Sequence, residues 1–239
     1  MFFPEMTTKT ALKITKQKMT EYHLEFLERM NAIEVDAHWF RRAFHTFAAS
    51  FLFYYLLPDE TWVTNVKIIL PILIVAGMFV IEYHRLRGDV EHKRFFGLRS
   101  YEKKRPASYL YFGVAVMLLF LFFPQQIAIP CILCASFTDP IIGETRYFFG
   151  KKYAYPLGFV ISYLFFLVTW YRADGWVLII VTTLGASGAV IGEARKCTYV
   201  DDDFMIQILP AVLLLILCQG LLLMQIDILP PPLIHPLSQ

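Results

Sequence analysis

Asp139-Pro140-Ile141-Ile142-Gly143-Glu144-Thr145-Arg146-Tyr147-Phe148-Phe149-Gly150-Lys151-Lys152 is a polar stretch set between two runs of membrane-type residues. An apolar chain does not carry Asp, Glu, Arg, two Gly and a Lys pair beside a hydrocarbon-facing segment unless they meet something polar, because ionisable groups in the bilayer are costly. The residue types suit a phosphate with its metal ion. Gly143 and Gly150 let backbone N–H groups approach an anion, Lys151 and Lys152 offer point charges to phosphate oxygens, and Asp139 is a hard oxygen ligand for Mg²⁺. Read without a ligand, Pro140 and Gly143 mark a polar turn that breaks the helix, with the lysines anchoring the membrane edge.

Composition fixes the class. Of 239 residues 57% are hydrophobic and 16% aromatic, and the mean hydropathy is +0.51, well above the roughly 45–50% apolar content of soluble domains. The expected fold is all-α, a polytopic transmembrane helical bundle. The net charge of +2 matters less than which loops hold the charges, and nothing points to a nucleic-acid partner. Cys131, Cys134, Cys197 and Cys218 lie in or beside apolar segments without the second ligand pair of a zinc site, so they read as small packing residues. The first thirty-odd residues are charged and lack a continuous apolar core, so no cleavable signal sequence is expected.

Segment by segment, residues 1–38 form an amphipathic cytoplasmic unit. Met19, Tyr22, Phe26, Met30 and Ile33 recur at helical spacing, while Lys and Glu occupy the other faces. Residues 39–228 hold about seven candidate spans, at roughly 40–57, 64–81, 107–123, 125–138, 154–171, 175–192 and 207–226. The fourth is short, follows Pro124 and contains Pro130, which predicts a broken or tilted helix delivering Asp139 into a polar cavity. Residues 229–239 read as a Pro-rich exposed tail. Lys and Arg number seven up to Arg42, eight in 82–106, three in 139–153 and two in 193–206, twenty of the twenty-two in the chain. Cation-rich loops alternating with poor ones place the amino terminus inside and the carboxyl terminus outside.

Almost every residue able to do chemistry then collects on the inner side. Arg41, Arg42 and His45 stand at the entry to the first span, where an intramembrane histidine faces the bundle interior or a wet cavity. Glu82 closes the second span one turn before Arg85, the spacing of a helix-end ion pair. Arg99, Glu102, Arg105 and Ser108 lead into the third. Glu193 precedes Asp201-Asp202-Asp203, whose mutual repulsion beside an anionic membrane surface a bound cation would offset.

In order and spacing, Arg41-Arg42-x-x-His45, Gly97-Leu98-Arg99-x-x-Glu102-x-x-Arg105-Pro106-x-Ser108, Asp139-Pro140-x-x-Gly143 with Gly150-Lys151, and Glu193 followed by Asp201-Asp202-Asp203 resemble the CTP-dependent polyprenol kinases, which include dolichol and phytol kinases. The resemblance spans about residues 40–212 and extends to the related CTP:phosphatidate cytidylyltransferases. It implies transfer of the CTP γ-phosphate to the hydroxyl of a long isoprenoid alcohol, with Mg²⁺, at the cytosolic face of the bilayer. Asp139 and Asp201 to Asp203 would hold Mg²⁺. Arg105, Gly143, Arg146, Gly150, Lys151, Lys152 and Glu193 would surround the nucleotide, and Arg41, Arg42, Glu82, Arg99 and Ser108 would support the substrates. The general base would be His45, Glu102 or Asp139. After its Asp-Pro turn the family usually has a Lys-Thr-x-Glu-Gly-Ser-like segment, whereas this chain runs Lys151-Lys152-Tyr153-Ala154-Tyr155-Pro156-Leu157-Gly158, and Asp203 stands where an Asn is common. Two other readings stay open: a CTP-dependent lipid-phosphate cytidylyltransferase, and a multi-span transporter, whose charges would instead line a path through the bilayer.

Overall fold

Helix, not turn, occupies the polar stretch at 139. The computed structural model describes residues 42–88, 102, 104–195 and 200–237, so the amphipathic segment expected at 1–38 lies outside the described residues, as do Arg41 and Arg99. Among the described residues every regular element is helical. Helix α1 covers 42–48 and tightens into the 3₁₀ helix Ala49–Leu56. Then follow α2 Thr61–Arg87, α3 Ser108–Phe122, α4 Gln125–Leu133, a π turn Cys134–Thr138, α5 Asp139–Phe149, α6 Lys151–Thr169, α7 Gly175–Ala194 and α8 Asp202–Leu223. Five helical stretches among these are long and apolar enough to cross a membrane, and they mark the chain as a membrane protein.

The expected short, broken fourth segment is corrected here. α4, the π turn and α5 run on as 25 residues from Gln125 to Phe149. Pro140 lacks an N–H and would normally interrupt the ladder. The chain absorbs it one residue earlier, where the Asp139 N–H reaches back to the Cys134 carbonyl in a widened turn. Gly143 therefore sits inside α5, and the reversal comes at Gly150, whose φ of 82° suits a residue without Cβ. The composite helix pairs antiparallel with α6 along its length. Trp170 Nε1 donates to the Gln126 carbonyl at 2.7 Å, Ser162 Oγ lies 3.2 Å from Thr138 Oγ1, and Gly158 packs under Ile142.

α7 and α8 lie closest together. A Cβ on Gly188 would come within 2.9 Å of Pro210 Cα, and one on Gly192 within 2.5 Å of the Met205 carbonyl oxygen. Small residues permit such backbone contact, the usual means by which helices associate in lipid. This contact holds Glu193, near the end of α7, against the start of α8. The apolar core between helices is built from Phe112, Leu119, Ile127, Phe166, Trp170 and Leu214, with Cys131 and Cys134 buried among them.

The carboxyl-terminal segment is exposed at Leu229, Pro231, Pro232, His235 and Leu237, yet it is tied to the bundle. Gln126 Nε2 donates to the Pro230 carbonyl at 2.6 Å, and Gln125 exchanges two hydrogen bonds with Ile234. The Leu237 N–H reaches the Leu56 carbonyl at 2.9 Å. Two glutamines just past Pro124 are donors and acceptors looking for backbone partners, and a proline-rich strand with spare carbonyls supplies them. The tail thus ties the ends of the 3₁₀ helix and α4 together at the end of the bundle opposite Asp139.

Candidate functional site

His45 belongs to α1 and is 5% exposed. Its position depends on the π turn. With the Asp139 N–H given to Cys134, the next residue able to serve the Ala135 carbonyl in that register is Pro140, which has no N–H. His45 Nδ1 fills the gap at 3.0 Å. A carbonyl only accepts, so Nδ1 carries the proton there and Nε2 is turned the other way. Nε2 lies 3.6 Å from Asp139 Oδ2 and 3.6 Å from Asp203 Oδ1. One ligand atom from each of these three residues falls within 4.8 Å of the others.

Further carboxylates close round this group. Asp202 and Asp203 occupy the first turn of α8 and Asp201 precedes it, so the helix N-terminus stabilises their charge. Glu193 is 1% exposed. Arg146 Nη1 donates to its Oε1 at 3.2 Å, whereas Oε2 is buried with no hydrogen-bond partner, and the carboxyl stands beside that of Asp139. Two carboxylates in contact need a proton or a cation between them. The donor set of imidazole and carboxylates, with a buried oxygen left over, fits a divalent ion.

On α5, Asp139, Gly143 and Arg146 follow one another at helical spacing and share a face. A Cβ on Gly143 would meet nothing within 4 Å. The face therefore offers a carboxylate, an open step and a guanidinium over two turns, about 10 Å. Arg105 Nη2 approaches Asp201 Oδ2 at 3.8 Å from the segment before α3. Arg42 pairs with Glu144.

A second polar group next to this site is built for support. Arg85 is 5% exposed; its Nε donates to Glu82 Oε2 at 2.8 Å, Nη1 to the Glu102 carbonyl and Nη2 to the Arg105 carbonyl. Glu82 also accepts the Ala107 N–H at 2.7 Å and the Tyr109 hydroxyl at 2.7 Å, and Glu102, fully buried, accepts the Ser108 N–H at 3.0 Å. The first N–H groups of α3, orphaned at any helix start, thus end on two carboxylates. The arrangement fixes the backbone that carries Arg105.

The structure therefore brings together His45, Asp139, Asp203, Glu193 and Arg146, with Arg105 and Asp201 beside them. Glu82, Glu102 and Ser108 stand in the supporting clamp. Gly150 makes the reversal before α6, and Lys151 and Lys152 are exposed at its start. The Glu82–Arg85 pair is the one its spacing predicts, whereas the Ala135 carbonyl, Tyr109 and Glu144 were missed as sequence candidates; only Pro140 signals the first, by removing a donor. No protein-family model, curated protein or solved structure matches the chain.

Proposed function

We propose that this chain is a CTP-dependent kinase for a long-chain isoprenoid alcohol, working at the cytosolic ends of seven crossings. The meeting of His45, Asp139 and Asp203 beside Arg146 and Glu193, at one end of an apolar bundle, carries the reading. The distribution of Lys and Arg supports that end being cytosolic. The length of the first segment supports its being a crossing. Seven α-helical residues and eight 3₁₀ residues, at ~1.5 and ~2.0 Å each, reach about 26 Å, close to the hydrocarbon thickness of a bilayer.

Asp139 and Asp203 would hold the divalent ion, Mg²⁺ by the resemblance, with Asp201 and Asp202 adjacent. Held there, such an ion would supply charge neutralisation for the triphosphate oxygens. Arg146 and Arg105 are assigned the phosphate clamp, since their guanidiniums already reach the carboxylates of the cluster and suit forked contact with phosphate. The open step at Gly143 leaves room for phosphates between Asp139 and Arg146. The alcohol's oxygen forms a bond to the γ-phosphorus as the β–γ bridging P–O bond breaks. CDP leaves, and the hydroxyl proton passes to Asp139. Loose phosphoryl transition states ask mainly for such positioning and charge stabilisation.

The test uses the full chain in detergent with Mg²⁺, a polyprenol and CTP labelled at the α- or γ-phosphate. Label entering lipid from the γ position alone, with CDP released, is expected. Label entering from the α position with pyrophosphate released assigns cytidylyl transfer instead, and no label from either position across alcohols and lipid phosphates removes the phosphotransfer reading.

A further inference from the structure

We infer that His45 is itself a metal ligand, so that the cluster selects a first-row transition ion such as Mn²⁺ over Mg²⁺. The inference deepens the kinase reading, on which it rests for the ion's role beside the nucleotide. Its first support is the direction of the ring. The Ala135 carbonyl takes the Nδ1 proton, which turns Nε2 towards Asp139 and Asp203, both at 3.6 Å. One nitrogen and two carboxylate oxygens, all on buried or half-buried residues, thus converge within 4.8 Å of one another. A cation between them turns all three into ligands at once.

The second support is independent of the histidine. The Glu193 carboxyl is buried and stands against that of Asp139, so this pair too needs a proton or a cation between its members. Arg146 engages only Oε1. A divalent ion at Asp139 meets that need from the side facing His45 and Asp203.

The third is the outer shell. Metal-binding histidines generally hand their other ring N–H to a carbonyl or carboxylate, which fixes tautomer and orientation. Here the fold makes that carbonyl available through Pro140 and the π turn, and buries the ring against Phe112 with centroids 5.5 Å apart. Imidazole nitrogen is a softer donor than carboxylate or water. It favours transition ions, whereas Mg²⁺ keeps to oxygen and water in octahedral geometry.

Mn²⁺ is the probe, added to the full chain in detergent without nucleotide and followed by electron paramagnetic resonance. Wild type is expected to bind Mn²⁺ at least about tenfold more tightly than Mg²⁺, and its spin echo to show ¹⁴N modulation from one imidazole. His45→Asn keeps an amide donor where Nδ1 lies but has no counterpart of Nε2. It should retain the wild-type melting temperature, lose the ¹⁴N modulation and bind Mn²⁺ at least about tenfold more weakly. His45→Gln, which offers an oxygen instead, should move the preference towards Mg²⁺. Bound Mn²⁺ without ¹⁴N modulation, unchanged affinity in a folded His45→Asn, or no Mn²⁺ bound with or without CTP overturns the inference. Transfer of γ-label with Mg²⁺ in that event leaves the kinase reading standing. Mn²⁺ held through His45 without any transfer removes the kinase reading alone.

Discussion

Asp139 is the residue on which most contacts of the site converge: His45 on one side, Glu193 on another, Asp203 across the helix start. Asp139→Asn keeps its volume and removes its charge. We expect γ-phosphate transfer to fall by about 10²–10³, the usual cost of losing one preorganised electrostatic group, with little change in melting temperature. Arg85 tests the opposite kind of residue. It is buried, paired with Glu82, and holds two backbone carbonyls, so Arg85→Met leaves a buried carboxylate without its partner. Thermal unfolding in detergent should show about 3–5 kcal/mol of destabilisation, partly restored by adding Glu82→Gln. The two predictions separate a residue proposed to take part in chemistry from one that holds the backbone around it in place. From sequence alone Glu102 and Asp139 are both acids among the candidate bases; the Ser108 N–H on Glu102 tells the cap from the candidate ligand. His45 and the aspartates were legible because ionisable groups at the ends of apolar runs are conspicuous. The backbone carbonyl that aims His45 was not, because every residue has one.

Among the elements, the π turn before Pro140 decides the geometry. Hydropathy sees a short apolar run ending in Asp-Pro and predicts a break, since it records side chains and not the register of hydrogen bonds. The chain keeps the helix by widening one turn, and the spare Ala135 carbonyl accepts the His45 Nδ1 proton. The α7–α8 contact is the other element-scale feature that periodicity does not reveal, because small residues carry little hydrophobic signal. Gly192→Ala places a Cβ 2.5 Å from the Met205 carbonyl oxygen, a backbone atom that cannot rotate aside. The helices must separate next to Glu193 and Asp203. We expect about 1–3 kcal/mol of destabilisation by thermal unfolding, together with weaker Mn²⁺ binding, whereas Gly143→Ala, with open space around it, should leave the melting temperature unchanged.

Across the whole molecule, polarity divides the two ends of the bundle. Membrane character was legible in the sequence because composition alone sets it, whereas the anchoring of residues 228–237 was not, because backbone pairing of a proline-rich segment leaves no pattern in hydropathy. On the proposed topology, an epitope added after Gln239 is exposed to the outside of intact cells, and an impermeant antibody should label it without permeabilisation. Labelling only after permeabilisation would reverse the assignment of ends. The 3₁₀ segment has a consequence for the lipid. It packs against α3, with Tyr54 stacked on Phe120 at 4.1 Å, and α3 itself has only 15 residues, about 22 Å. If α3 is a crossing, as the proposed seven-span topology has it, the protein on that flank is shorter than the surrounding acyl layer, and the leaflets dimple to meet it. Reconstituted in phosphatidylcholines of graded chain length, it should melt highest in the thinner vesicles, and on the proposed function a leaflet thinned at this flank would shorten the climb of an alcohol headgroup to the acid cluster.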